Sequence, residues 1–151
     1  MLIRQGTSDD IEAIFMLDEL TSRESSRAEY VTRSVQAGNA FVADRDGKVV
    51  GYGVLTYSFY GNGMMELIYV ARQYRRSGVG RALIGYSESR CRTSKLFTST
   101  NLSNKPMQLL LEGLGYKLSG YIDNLDPGDP ELVYFKDLGS RLGKLAAETE
   151  A

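Results

Sequence analysis

The sequence predicts a mixed α/β domain of the α+β kind, a mostly antiparallel sheet with helices on both faces. Three observations carry that prediction. Strand-like segments come first as a hairpin series and only later alternate with helical ones. The 151 residues are 42% apolar and 25% charged, ordinary values for a chain that buries one core. Neither an internal repeat, nor a low-complexity tract, nor an interdomain linker interrupts the pattern.

Residues 2–5 read as a short first strand. Thr7-Ser8-Asp9-Asp10 is a helix-start signal, after which Ile11, Ile14 and Phe15 make one apolar face. A second, more polar helix spans 25–37 and is closed by Gly38-Asn39. Residues 40–43 and 48–60 are strands joined through Asp46-Gly47, a hairpin signal, and Gly61-Asn62-Gly63 turns the chain into a strand over 64–70. Val79, Ala82, Leu83 and Tyr86 then follow helical spacing on one side, and Cys91 falls in a helix. Residues 95–100 form a strand, and Asn104-Lys105-Pro106 opens a helix whose stripe is Met107, Leu110, Leu111 and Leu114, ended by Gly115. Strands at 119–124 and 132–136 flank the turn-rich Asp126-Pro127-Gly128-Asp129-Pro130. In the tail, Leu138, Leu142 and Leu145 are helically spaced, which leaves a docked helix and a frayed end both open.

The most informative stretch runs from Val70 to Leu83. It reads as a strand end, a basic glycine loop and the first turn of a helix. Gly78 and Gly80 let the backbone approach a ligand closely. The helix that follows points its first amides and the positive end of its dipole back at the loop. Arg75, Arg76 and Arg81 add fixed positive charge, so the segment is a cradle for a pyrophosphate. An exposed charge run is the alternative reading of Arg75-Arg76, weaker because Gly78 and Gly80 follow directly. Ser77 offers its amide or hydroxyl to a phosphate; as a nucleophile it lacks both a base and a Gly-x-Ser-x-Gly elbow.

Arg75-x-x-Gly78-x-Gly80 resembles the acetyl-CoA signature of the GNAT superfamily of N-acyltransferases. Thr98-Ser99-Thr100, Asn104 and Leu114-Gly115-Tyr116 resemble that family's later strand, asparagine, helix and closing segment. The resemblance runs from Ile3-Arg4 to about Leu138, implying a GNAT-like domain over 1–138 followed by a tail at 139–151. It further implies acetyl-CoA as co-substrate, held by Ile68, Tyr69, Val70, Arg75, Arg76, Ser77, Gly78, Val79, Gly80, Arg81 and Asn104. By the same likeness the acetyl carbonyl lies beside Tyr69 or Val70. Asn104 has a second reading as a plain helix N-cap.

Acetyl transfer to an amine needs a neutral nitrogen, and an alkylamine is only about 0.04% neutral at pH 7. Glu66, the one acid in the strand feeding the loop, is the candidate general base. Its alternative is a solvated or salt-bridged strand carboxylate. The family often carries a tyrosine seven residues after the asparagine, as the acid that protonates the leaving thiolate; here that position is Leu111. Tyr57, Tyr60, Tyr121 and Tyr134 are the tyrosines that could replace it, whereas Tyr116, at the position of the family's closing aromatic residue, reads as a core ring. A rival of another class is a non-catalytic acyl-CoA-binding module, which Leu111 favours. Glu19, Glu24 and Glu29 could select a cationic amine, the acceptor being expected near the first helices and the Gly61-Asn62-Gly63 turn.

Histidine is absent, which removes Ser-His-Asp and Cys-His catalysis, and no metal site is expected. A net charge of −1 argues against nucleic acid as a partner. No apolar run reaches the roughly 18 residues of a membrane helix and no signal-peptide pattern opens the chain. Cys91 is the single cysteine and reads as structural; with no disulfide available, a cytoplasmic protein is expected. A homodimer is left open, as is the identity of the amine.

Overall fold

Local signals start the chain. Thr7 sits extended (φ −122°, ψ 171°) and forms a capping box with Asp10, whose carboxylate accepts the Thr7 N–H at 2.8 Å. Arg4 then holds the same carboxylate through both terminal nitrogens at 2.9 Å. The guanidinium and the Thr7 donors keep Asp10 below the ordinary carboxylate range.

The computed structural model describes residues 1–141. Its elements are β1 (Leu2–Gln5), a 3-10 turn (Ser8–Asp10), α1 (Ile11–Leu17), α2 (Leu20–Arg23), α3 (Ser25–Gln36), β2 (Ala40–Arg45), β3 (Lys48–Phe59), β4 (Asn62–Val70), α4 (Val79–Arg90), β5 (Lys95–Asn101), α5 (Lys105–Gly113), β6 (Lys117–Ile122) and β7 (Glu131–Asp137). The strands hydrogen-bond in the order β1-β2-β3-β4-β5-β7-β6, with β4 and β5 parallel and β1-β2, β2-β3, β5-β7 and β7-β6 antiparallel. The mixed, mostly antiparallel sheet is therefore present. Two compact units divide the chain, Met1–Leu55 with Glu66–Ser89, and Thr56–Met65 with everything from Arg90 onward.

In the first unit the two faces of β2 explain why all of Ala40, Phe41, Val42 and Ala43 are buried. Ala40 and Val42 join Tyr52, Val54 and Leu67 beneath Ile14 of α1 and Val31 and Val35 of α3. Phe41 and Ala43 join Val50 beneath Val79 and Leu83 of α4. Period-two alternation thus sends neighbouring residues to helices on opposite faces. On the α4 face Gly51 is obligatory, since a Cβ there would lie 2.9 Å from the Tyr69 carbonyl and 3.1 Å from the Val79 side chain. Between α1 and α3, fully buried Asp18 accepts hydrogen bonds from the Tyr52 hydroxyl (2.5 Å), Arg27 Nε (3.0 Å) and the Leu20 amide (3.1 Å).

In the second unit, β4 pairs with β5 through Gly63↔Leu96, Met64↔Phe97 and Met65↔Thr98. Phe59, Phe97 and Phe135 stack in series at 4.9 and 5.8 Å. Leu111 of α5 is buried, and Gln108 Nε2 donates to the carbonyls of Asn101 and Leu102, tying that helix to the end of β5.

Four expectations need correction. The hairpin turn is Tyr60-Gly61, both left-handed (φ 55° and 78°), while Asn62 and Gly63 already belong to β4. Gly63 is there because a Cβ would come 2.4 Å from Cys91 Sγ, a packing demand that mimics a turn signal. Cys91 lies just past the end of α4 rather than within it, buried and reduced. β6 begins two residues earlier than expected, at Lys117, because its register is set by pairing with β7. The short α2 was not anticipated; the Leu20 amide at its start donates to Asp18 Oδ1 at 3.1 Å. The expected tail helix falls on residues of which 142–151 lie outside those described, and 139–141 form no helix.

Candidate active site

The predicted loop and residues 66–70 of its feeding strand fall within the first unit. Along β4, Leu67 and Tyr69 pack with the α1/α3 cluster, whereas Ile68 and Val70 pack with the α4 cluster. The side chains of Ile68, Val70 and Val79 are thus committed to the core, and what they can offer a ligand is backbone. The Ala71 amide donates to the Val50 carbonyl at 2.9 Å, pinning the strand where the loop departs.

A single 3-10 turn (Arg72–Tyr74) leads into the loop. Arg76 and Gly78 are both left-handed, at φ 61° and 89°. That conformation suits glycine but is uncommon for arginine, so the surrounding structure holds Arg76 in place. Ser77 donates a short hydrogen bond to the Tyr74 carbonyl, which spends its hydroxyl proton inside the loop. Helix α4 begins at Val79, with the Ala82 amide bonding the Gly78 carbonyl at 3.0 Å. The amides of the first turn consequently face the loop.

The cations are arranged around this frame. Arg75 donates from Nε to the Val70 carbonyl at 3.0 Å, and its guanidinium lies 5.6 Å from the Tyr69 ring centre. Arg76 and Arg81 are exposed. Two further cations were missed by the sequence reading. Arg45 and Lys48, from the β2–β3 hairpin, lie 5.5 and 5.6 Å from the Tyr74 ring centre. No local motif marks them, because Tyr74 is reached only through tertiary packing.

Glu66 is exposed, not partly buried, and its Oε1 accepts a 2.8 Å hydrogen bond from the Tyr30 hydroxyl of α3. It precedes Val70 by four residues, about 13 Å along an extended strand. Glu19, Glu24 and Glu29 are exposed too, and Glu19 lies 3.9 Å from Arg23 one turn on.

Asn104 belongs to the second unit. Its Oδ1 accepts the Met107 amide at 3.3 Å, so the N-cap reading is realised. Leu111 is 1% exposed, and the tyrosines weighed in its place are disposed as follows. Tyr116 is buried with Lys136 Nζ 5.6 Å from its ring centre, and Tyr134 is buried, its phenol pushed up by burial and Glu112. Tyr57 accepts the Arg92 amide at 3.0 Å. Tyr60 is 90% exposed at the hairpin turn and Tyr121 is exposed on β6. Among the described residues no group of three or more His, Cys, Asp or Glu could hold a metal ion, and no helix is long and apolar enough to cross a membrane.

The strand thus runs through a glycine loop into a helix N-terminus, with Arg76 and Arg81 exposed around it. The family model for acetyltransferases of the GNAT family matches residues 8–116, and the chain belongs to that family. Among solved structures, a GNAT-family acetyltransferase from Bacillus cereus is 30% identical, with a TM-score of 0.84 over 90% of this chain and 96% of that one. Ard1 from Thermoplasma volcanium is 20% identical, with a TM-score of 0.76 over 90% of this chain and 96% of that one. An aminoglycoside 6′-N-acetyltransferase complexed with coenzyme A is 17% identical, with a TM-score of 0.77 over 93% and 99%. These last two share the fold. No curated protein matches the sequence.

Proposed function

We propose that this chain is an acetyl-CoA-dependent N-acetyltransferase that acetylates a primary amine by direct attack on the thioester. The observation that carries the reading is the loop itself: left-handed Arg76 and Gly78 feeding the N-terminus of α4, ringed by arginines. In this reading residues 1–138 form the catalytic domain, and the backbone of Arg75–Arg81 holds the pyrophosphate of acetyl-CoA. The main chain of Ile68, Tyr69 and Val70 holds the pantetheine arm and acetyl carbonyl, and Asn104 is read separately as a cofactor-facing residue.

The amine nitrogen forms a bond to the carbonyl carbon while the carbon–sulfur bond breaks and coenzyme A leaves as thiolate. The nitrogen's proton passes to Glu66, directly or through water. A thiol of ordinary pKa near 8.5 leaves readily, so the chemistry tolerates an apolar Leu111 where the family often has a tyrosine. The acceptor is a small-molecule or peptide amine, and neither nucleic acid nor membrane is required. The lone Cys91 suits a cytoplasmic setting.

The alternative is an acyl-CoA-binding module without turnover, favoured by the buried Leu111 alone. Thiol release from acetyl-CoA, assayed against a broad panel of amines and peptides, separates the two. Binding is tested independently by thermal melts, in which coenzyme A at 100 times its dissociation constant adds about 2.7 kcal/mol. Gly80→Asp puts a like charge into the cradle and should erase that shift. A wild-type protein unmoved by millimolar coenzyme A would defeat the proposal.

A further inference from the structure

We propose that Tyr30 is a positioning residue for Glu66, holding its carboxylate aimed for the amine acceptor. The inference rests on the role given to Glu66 above. The 2.8 Å bond from the Tyr30 hydroxyl to Glu66 Oε1 joins α3 to β4 across 36 residues of sequence. Tyr30 is well fitted to the task. Its ring packs against the cluster of Ile14, Val31, Val35 and Tyr52, which removes most of its side-chain freedom. Its own backbone is tied by the Ser34 hydroxyl, which donates to the Tyr30 carbonyl at 2.7 Å.

The charged groups acting on the phenol are Glu66, which strengthens its hold on the proton, and Arg27, which weakens it. Burial and Glu66 prevail and push the phenol well above its ordinary range, so it stays a neutral donor at every working pH. Glu66 supplies the opposite property. Its side chain is exposed, so a solvent-borne amine can reach it. An exposed glutamate ordinarily samples many rotamers, and productive proton transfer needs one. A fixed phenol donor selects that geometry.

A purely structural role would have Tyr30 staple α3 to β4 and nothing more. The test exploits the fact that the amide oxygen of Glu66→Gln still accepts the Tyr30 bond, while Tyr30→Phe removes it. Steady-state kinetics with the best amine found by thiol release are compared for wild type, Y30F, E66Q and Y30F/E66Q. Positioning predicts that Y30F lowers kcat about tenfold with KM for acetyl-CoA unchanged. In the E66Q background the same change should alter kcat by less than about twofold. Equal losses in both backgrounds, or a Y30F enzyme with wild-type kcat, would overturn the assignment. An E66Q enzyme with wild-type turnover overturns the base role and the positioning role together, whereas a crippled E66Q beside an unaffected Y30F overturns only the latter. Coenzyme A thermal shifts on every variant, expected at the wild-type size, keep any loss of fold from passing as loss of chemistry.

Discussion

Tyr52 and Tyr30 each donate a phenol hydrogen bond to a carboxylate, to Asp18 at 2.5 Å and to Glu66 at 2.8 Å. Both bonds link an α-helical region to a strand of the same unit, yet Asp18 is fully buried and Glu66 is exposed. Asp18 is further closed off by Arg27 Nε and the Leu20 amide. A buried carboxylate needs such compensation, since an unpaired one would be far too costly. Once fully compensated it has no capacity left for a substrate. Glu66 keeps the same partner chemistry but faces water, so it can exchange a proton. A phenol–carboxylate bond is thus a sealed staple at Asp18 and a solvent-facing one at Glu66, the residue proposed as the base, and burial makes the difference.

The strongest way to break this comparison is Asp18→Ala, which leaves the buried Tyr52 hydroxyl and the half-buried Arg27 without their acceptor. It should cost about 3–5 kcal/mol in urea denaturation. A loss below about 1 kcal/mol would show that the sealed pair does not hold the helices. Glu66→Gln should give the reverse result. Turnover near pH 7 should fall by about 10²-fold, equivalent to roughly 2.7 kcal/mol, while stability stays within about 0.5 kcal/mol of wild type. The kinetic loss should shrink as pH rises and free amine becomes abundant. Wild-type turnover in that variant would return Glu66 to the solvated surface.

Tyr52→Phe isolates the sealed bond and should cost about 1–2 kcal/mol at neutral pH. Burial and Asp18 hold the Tyr52 proton on in the fold, well above the ordinary range. The unfolded chain ionises first, near pH 10, so this stabilisation is complete below about pH 10 and is lost as pH rises beyond it. Melts from pH 8 to 11 should therefore decline more steeply for wild type than for Y52F; parallel declines would remove Tyr52 from the account.

Asp10 sharpens the contrast from the acid side. Its carboxyl is lowered from 3.8 by Arg4 and Thr7, so its contribution is present above about pH 4 and fades as pH falls through the lower folded value. Asp10→Asn should be less stable than wild type by about 1 kcal/mol at pH 7, with the gap closing toward pH 2. A gap independent of pH would mean that charge is not what Asp10 supplies. The smallest expected effect concerns the alkaline rate profile. With Leu111 buried and the Tyr30 proton held, kcat should show a rising limb from amine deprotonation and no falling limb near pH 9–10. Tyr→Phe variants at Tyr57, Tyr60, Tyr116, Tyr121 and Tyr134 check this, and a 100-fold loss in any one, with coenzyme A affinity kept, would reveal a relocated acid.

What the sequence by itself determined was everything written in neighbouring residues. The Thr7 cap, the Asp46-Gly47 hairpin, the Asn104-Pro106 helix start and the glycine loop before α4 are all local, because backbone dihedrals and first-turn amides answer to residues within a few positions. Position along the chain also marked Glu66 as the acid beside the loop. Only the tertiary structure decided what that acid touches. Strict alternation would place Glu66 with Ile68 and Val70, but its carboxylate meets Tyr30, whose ring packs with the cluster that includes Leu67 and Tyr69. Likewise Gly63 serves Cys91 rather than a turn, and Arg45 and Lys48 find Tyr74 across a hairpin. Such partners stand about 25 to 36 residues apart, and they meet only where helix docking and strand register bring them, which no window of neighbouring residues encodes.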